Sequence, residues 1–321
     1  MLKLLAAIIL LMNPLTGLFM KGQLGQKDAS LNEAPLFNAV DGYRLPLAGD
    51  IFLAAKLPIW PMRNWSVPEP QILAGTALVY DTYHDEILYQ KNNIFEPRSI
   101  ASLTKLMTAL VTMEHAKLND VFKISEQAVQ ALGEQGGLKT NEELSVKSLL
   151  YALLVESSND AAQALAENID LASKLPAGSA ENFIGLMNQK AKNLGLQNSI
   201  FVDPSGLESE NQSSAWELVK TMQETLEYPI LQEIMQTPAI DLSSVDGKIR
   251  HHLINTNKLL DKIPDVVAGK TGYTEEAGGC MILAAKAPDG KSLIIAVVMD
   301  SQNRMADIET LINWTKEAYM W

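Results

Sequence analysis

Cysteine is almost missing from this chain: Cys280 is the only one in 321 residues. No internal disulfide can form, and without a Cys-x-x-Cys pair nothing is in place to hold structural zinc or an iron–sulfur cluster. Positive charge is also short, with 26 Lys and Arg against 38 Asp and Glu, a formal charge of −12. That excludes a nucleic-acid binder working through a net basic face. Of the 4 histidines, His251 and His252 are neighbours that a strand would point to opposite sides, and His84 and His115 form no ligand spacing. Neither a metal nor another cofactor is therefore expected. What remains is ordinary globular composition, 47% hydrophobic and 20% charged, enough for a large core in one big domain or two modest ones. The chemistry must come from ordinary side chains.

The apolar run Leu4–Met12 follows Lys3 and has the length of a signal-peptide h-region. Apolar character resumes after Asn13-Pro14 as far as Met20, which brings the stretch to the short limit of a membrane-spanning helix. Pro14 argues against a buried first helix. Residues 1–20 are thus expected to be a signal peptide or an N-terminal membrane anchor. The lack of an Ala-x-Ala-like cleavage site and of a nearby cysteine for lipidation favours the anchor. Either way the protein is exported, to the periplasm or cell surface. Residues 21–73 hold Pro35, Pro46, Pro58, Pro61, Pro68 and Pro70 and keep no helical or strand period for long, so they read as a linker. Its Trp60 and Trp65 are either interfacial membrane anchors or loop packing.

From Ala74 the pattern becomes regular, and residues 74–321 are expected to form the catalytic domain. Ala77–Tyr80 and Ile87–Tyr89 flank a polar turn and predict an antiparallel hairpin. Cys280–Ala287 and Ser292–Met299 predict a second, joined by Pro288-Asp289-Gly290, a turn with fixed φ at Pro, a side-chain acceptor at Asp and a permissive Gly. Between the hairpins, Ser102–His115, Val146–Leu154, Asp160–Asn168 and Ser179–Leu194 carry apolar residues at helical spacing, with Gly195 placed to end the last. Ser214 to Glu217 spells a capping box, and Asp307–Tyr319 closes the chain as an amphipathic helix. The layout is α+β: an antiparallel β-sheet flanked by helices, with an inserted helical subdomain. Cys280, beside Gly278-Gly279, is expected in the core.

Three short motifs carry chemistry. In Ser102-Leu103-Thr104-Lys105, three helical residues advance about 300° and about 4.5 Å, so hydroxyl and amine share one face. Lys105 can take the serine proton if it is neutral, which means bringing an amine from about 10.4 toward 7, roughly 4–5 kcal/mol of differential environment. Burial and a second cation nearby supply such a shift, and a helix start aims free backbone N–H groups at an oxyanion. Ser-x-x-Lys alone also occurs by chance on solvated helix faces. Glu156-Ser157-Ser158-Asn159-Asp160 lies between two apolar helices. An N-cap needs one such residue, and the surplus suggests that Ser157 and Asn159 point elsewhere. Gly269-Lys270-Thr271-Gly272 invites a Walker A reading, which fails because Pro264 stands where the first loop glycine belongs. A strand would put Lys270 and Gly272 on one face, with Thr271 on the other or at an edge.

In this order the three motifs match the pattern of penicillin-recognising serine enzymes. With them, Arg98–Leu110, Leu153–Ala162, Phe201–Leu207 and Lys270–Cys280 resemble the serine D-alanyl-D-alanine carboxypeptidase family of low-molecular-weight penicillin-binding proteins, over roughly Ala74 to Trp314. The resemblance implies a β-lactamase/transpeptidase-like fold and hydrolysis of peptidoglycan peptides ending in D-Ala-D-Ala, with β-lactams as covalent inhibitors. It implies Ser102 as nucleophile, Lys105 as its base and Ser157 as proton relay to the leaving group. Asn159 would hold the substrate backbone, Lys270 and Thr271 the terminal carboxylate, and Gly272 would let the substrate lie along the strand. Tyr273 and Ser102 would supply the oxyanion N–H groups. No Glu-x-x-Leu-Asn loop of a class A β-lactamase follows Asn159. The alternatives are a DD-endopeptidase cutting cross-links and, with less support, a β-lactamase or a non-catalytic wall-binding protein.

Overall fold

A strand that is apolar at consecutive positions has to be covered on both faces, and Ala77–Tyr80, Cys280–Ala285 and Ile294–Met299 are runs of this kind. The computed structural model describes residues 61–133, 136–173 and 182–321. The leader at 1–20 and the linker as far as Trp60 lie outside the described residues. The chain divides after Leu57, and every described element belongs to the second unit.

In chain order the first elements are β1 (Met62–Arg63), β2 (Thr76–Asp81), β3 (Glu86–Lys91), β4 (Arg98–Ser99), a 3-10 turn at Ala101–Thr104 and α1 (Lys105–His115). The helical subdomain follows with β5 (Val121–Lys123), α2 (Glu126–Val129), β6 (Glu143–Ser145), α3 (Val146–Val155), α4 (Asn159–Ser173) and α5 (Phe183–Asn193). Then come β7 (Gln212–Ser213), α6 (Ala215–Leu226), α7 (Pro229–Gln236), β8 (Ala239–Ser243) and β9 (Arg250–Ile254). The chain closes with β10 (Val266–Thr274), β11 (Gly278–Lys286), β12 (Leu293–Ser301), α8 (Arg304–Ala318) and β13 (Tyr319–Met320). The central sheet is antiparallel with spatial order β10-β11-β12-β2-β3. Both expected hairpins are in it, and the fold is α+β.

Successive residues feed opposite cores. On β12, Ile295, Val297 and Met299 join the helical side, whereas Ile294, Ala296 and Val298 join a second core with Ile308, Leu311 and Ile312 of α8. On β11 the same division sets Cys280, Ile282 and Ala284 against Met281, Leu283 and Ala285. Each Ile, Leu, Val and Met among them contributes about 1.5–3 kcal/mol by leaving water. Because both faces are apolar, polarity cannot specify register here. The turn does so instead: Asp289 Oδ1 accepts from the N–H groups of Lys291 and Ser292, both at 2.9 Å, and Gly290 sits at φ +68°. Cys280 is fully buried, and burial pushes its thiol up to about 11, so it is no nucleophile.

The helices keep close to their sequence phases, with instructive differences. The first begins as a 3-10 turn, so the α-helix starts at Lys105 rather than Ser102. Asn182 caps α5 by accepting from Gly185 N, and Gly195 at φ +70° ends it, its N–H reaching Lys192 O while that of Leu196 reaches Ala191 O. Only half of the expected capping box forms. Ser214 accepts from Glu217 N, but the Glu217 carboxylate turns to Asn198 N at 2.9 Å and Ser199 Oγ at 2.6 Å. Residues 61–73, placed by composition in the linker, run along the C-terminal helix: Met62 pairs with Met320, Trp314 donates to Pro68 O, and Leu73 N donates to Asp307. Trp65 is 83% exposed, with the Arg63 guanidinium 5.2 Å from its ring centre. Among the described residues no helix is long and apolar enough to cross a membrane.

Glu217→Ala removes the acceptor of a half-buried backbone N–H and should cost about 1–3 kcal/mol. Differential scanning fluorimetry should then show the melting temperature lowered by about 2–4 °C for each kcal/mol lost; an unchanged melt would mean that the carboxylate is dispensable.

Candidate active site

The chain leaves β4 through Ala101, a non-glycine residue at φ +47°, and enters the 3-10 turn that carries Ser102. A left-handed residue costs about 1–2 kcal/mol and persists only when its surroundings dictate it. Two distant glycines, one from a loop and one from β10, supply that constraint. A Cβ on Gly206 would lie 1.9 Å from Ala101 O, and one on Gly272 would lie 2.9 Å from Ser102 N. Hydrogen alone fits at these places. The space expected at Gly272 for the substrate is therefore shared with the Ser102 turn.

One turn on, Lys105 is fully buried, and a buried amine needs polar partners. Its Nζ lies 2.8 Å from Ser102 Oγ, 2.6 Å from Asn159 Oδ1 and 2.8 Å from the carbonyl of Ser205. The helical phase inferred from the Ser-x-x-Lys spacing therefore holds even though the serine sits on a 3-10 turn.

The polar knot before α4 divides its labour. Capping falls to Ser158, whose Oγ accepts from Ala161 N at 2.9 Å, while Asp160 accepts from the N–H groups of Gly136 and Leu138. That frees Ser157 and Asn159 for other partners. Ser157 stands at φ +67°, 1% exposed, and its Oγ accepts from Lys270 Nζ at 2.7 Å. Asn159 gives its Oδ1 to Lys105 and donates its Nδ2 to Leu132 O at 2.6 Å.

The third motif lies on β10, the edge strand of the sheet, so both its faces and its free edge are usable. Lys270, 1% exposed, reaches Ser157, while Thr271 lines a cleft of about 310 Å³. Ser102, Asn159, Gly272 and Tyr273 line the same cleft. Lys105, Ser157 and Lys270 sit behind its wall, so all eight residues singled out by sequence belong to one locality.

Sequence reasoning assigned no role to two parts of the site. One is the loop after Asp203, which it noted only as part of the Phe201–Leu207 resemblance. The Asp203 carboxylate accepts from Ser205 N at 2.6 Å, Ser205 Oγ at 2.6 Å, Gly206 N at 2.8 Å and Glu208 N at 2.9 Å. Burial alone would raise this group; the Ser205 hydroxyl and the backbone N–H groups outweigh it and hold the carboxyl below its ordinary 3.8. The loop presents the Ser205 carbonyl to Lys105 and sets Gly206 and Leu207 in the cleft wall. Asp203-Pro204-Ser205-Gly206 is a turn signature that accounts for the loop locally. The other is Arg304, first residue of α8, which lines the cleft with its guanidinium 5.9 Å from the Tyr273 ring centre. No local pattern marks that arginine. His251 is buried against Glu142 at 2.7 Å and His252 faces Asp241 on the exposed side, the alternation a strand requires. Among the described residues no group of His, Cys, Asp and Glu could hold a metal ion.

Comparison with known proteins agrees with this geometry. The chain is 35% identical over 255 residues to the D-alanyl-D-alanine carboxypeptidase DacF of Bacillus subtilis, covering 77% of this chain and 63% of that one. It is 30% identical over 252 residues to a D-alanyl-D-alanine endopeptidase of Escherichia coli, covering 77% and 78%. The crystal structure of the Streptomyces K15 DD-transpeptidase superposes with a TM-score of 0.72 at 29% identity, covering 78% of this chain and 99% of that one. The model of the peptidase S11 family, D-alanyl-D-alanine carboxypeptidase, matches residues 63–303. With Ser102, Lys105, Ser157 and Lys270 joined by short contacts on a fold of this type, the chain belongs to the D-alanyl-D-alanine carboxypeptidase family of serine peptidases.

Proposed function

We propose that the protein is a serine D-Ala-D-Ala carboxypeptidase that trims peptidoglycan stem peptides through an acyl-enzyme. The observation that carries this reading is the buried Lys105 amine 2.8 Å from Ser102 Oγ at the wall of a cleft. With two N–H groups given to Asn159 and the Ser205 carbonyl, an uncharged amine keeps its lone pair toward Ser102 and takes the hydroxyl proton. The serine oxygen attacks the carbonyl carbon of the penultimate D-alanine, and the backbone N–H groups of Ser102 and Tyr273 receive the oxyanion. As the amide C–N bond breaks, the leaving nitrogen takes a proton from Ser157, whose transient negative charge is eased by Lys270 at 2.7 Å. The proton on Lys105 makes good that loss, so the amine is free again when water attacks the ester and restores Ser102. Asn159 serves both the amine and the substrate backbone.

Charge supports the assignment of the terminal carboxylate. The chain as a whole carries −12, yet Lys270 and Arg304 stand together at the cleft, a local sign opposite to the global one. Thr271, Lys270 and Arg304 together would hold the D-alanine carboxylate. Residues 4–20 would take the chain out of the cytoplasm and tether it.

The second reading is a DD-endopeptidase, in which the leaving amine belongs to a cross-linked neighbouring peptide. Its support is that relatives named endopeptidase in Escherichia coli and Pseudomonas aeruginosa are each covered over 78% of their length, against 63% for DacF. A β-lactamase lacks its deacylating glutamate motif here, and a purely wall-binding role leaves the buried Lys105 unused. Digesting purified wall fragments and identifying the products separates these readings. Released D-alanine with intact cross-links is expected; cleaved cross-links without free D-alanine would favour the endopeptidase.

Ser102→Ala and Lys105→Ala should each lower kcat/KM on a D-Ala-D-Ala peptide by about 10³-fold or more, and the double variant should be scarcely worse, because the pair acts as a unit. Additive losses in steady-state kinetics would contradict that. Asp203 adds a pH dependence. Because its folded value is lowered, its stabilisation is whole at neutral pH, declines as pH falls below 3.8 and the unfolded chain takes up the proton, and is gone below the folded value. Urea unfolding of wild type and Asp203→Asn should therefore differ at pH 7 and converge in acid. A gap that stays constant with pH would show that the charge is not what matters.

A further inference from the structure

Thr256 lies outside the three motifs, just past β9, and yet it touches one of them and the residue that precedes another. Its backbone N–H donates to Val155 O at 3.0 Å, two residues before Ser157, and its Oγ1 accepts from Thr271 Oγ1 at 2.8 Å. Its neighbours give it a rigid mount. Asn255, 4% exposed, donates its side-chain amide to Thr237 O at 2.9 Å and accepts from Asn257 N at 2.8 Å. Asn257, 2% exposed, accepts from Leu259 N at 3.0 Å, and a Cβ on Gly269 would come within 2.8 Å of its amide nitrogen. Two buried, braced asparagines thus hold the residue between them at a fixed place beside β10. Thr271 lines the cleft with a hydroxyl that could turn among rotamers, and the bond to Thr256 selects one.

We propose that Thr256 is a positioning residue that presets the Thr271 hydroxyl for the terminal carboxylate of the substrate, so that it governs affinity rather than the chemical steps. The inference rests on the carboxypeptidase reading above, in which Thr271 meets that carboxylate. When the carboxylate arrives, Thr271 keeps that rotamer, turning its proton to the ligand while its oxygen accepts from the Thr256 hydroxyl. Ser102 and Lys105, bound to other partners, are untouched by this turn.

The test is steady-state hydrolysis of a peptide ending in D-Ala-D-Ala by wild type, Thr256→Val, Thr256→Ser, Thr271→Val and the Thr256→Val/Thr271→Val double variant, with thermal melts to confirm folding. Thr256→Val should raise KM about 3- to 10-fold, the worth of one hydrogen bond, with kcat within about twofold. Thr256→Ser should restore KM, and in the Thr271→Val background the second substitution should add nothing. A fall in kcat at unchanged KM, an unchanged KM, no rescue by serine or an additive double variant would each overturn the proposal. Should Thr256→Val fail to fold, Thr256→Ser with wild-type KM beside Thr256→Ala with raised KM decides in its favour, and any other pairing decides against it. Wild type that releases no D-alanine overturns the carboxypeptidase reading and this proposal together; active wild type with an indifferent Thr256→Val overturns only this proposal.

Discussion

A lysine amine shut off from water next to a serine hydroxyl is the constraint around which the molecule is arranged. Taking such a group out of water is costly unless acceptors surround it. The acceptors for Lys105 come from α4, through Asn159, and from the loop after Asp203, through Ser205. To keep the amine in place, the helical subdomain and the return loop must each be fixed to within hydrogen-bond tolerance. Lys270 imposes a second link of this kind, from the sheet edge to Ser157. The buried polar groups therefore define the relative placement of layers that the apolar cores alone would leave loose.

The sheet makes that precision possible. Its middle strands are covered on both faces, so it is a rigid slab, and β10 at its edge offers a free side to the cleft. On the helical side, the 3-10 turn with Ser102 is gripped between Gly206 and Gly272, which come from a loop and from β10. Backbone strain is stored at Ala101 and Ser157, next to groups that face the cleft or its wall. Helices and sheet thus act as mounts for a few short contacts rather than as sources of chemistry.

Much of this was legible in the sequence, for reasons that differ from element to element. The hairpins around Tyr83–Glu86 and Pro288-Asp289-Gly290 could be read because their turn chemistry is local and their runs are long. The surplus of polar residues at Glu156–Asp160 was informative because one cap needs one side chain, and Ser158 is the one that caps. The folded stretch 61–73 was missed because it is held by contacts with distant chain, whereas the short hairpin of β8 and β9 and the helix α7 carry local signals, the Asp246-Gly247 turn and Pro229 at the helix start, that went unread. Glu217 shows how tertiary structure overrides a local motif: its carboxylate leaves the capping box for Asn198 and Ser199. Arg304 was invisible for the same reason, being brought to the cleft by the path of α8 and not by any pattern around it.

The central claim is that the Ser102 oxygen is the one activated nucleophile of this cleft, and intact-mass measurement followed by peptide mapping tests it most directly. The protein is incubated with a penicillin, quenched, digested and sequenced by tandem mass spectrometry. One adduct per chain, on the peptide containing Ser102 and lost in Lys105→Ala, is the expected result. No adduct after long incubation, or an adduct carried by another residue, would contradict it.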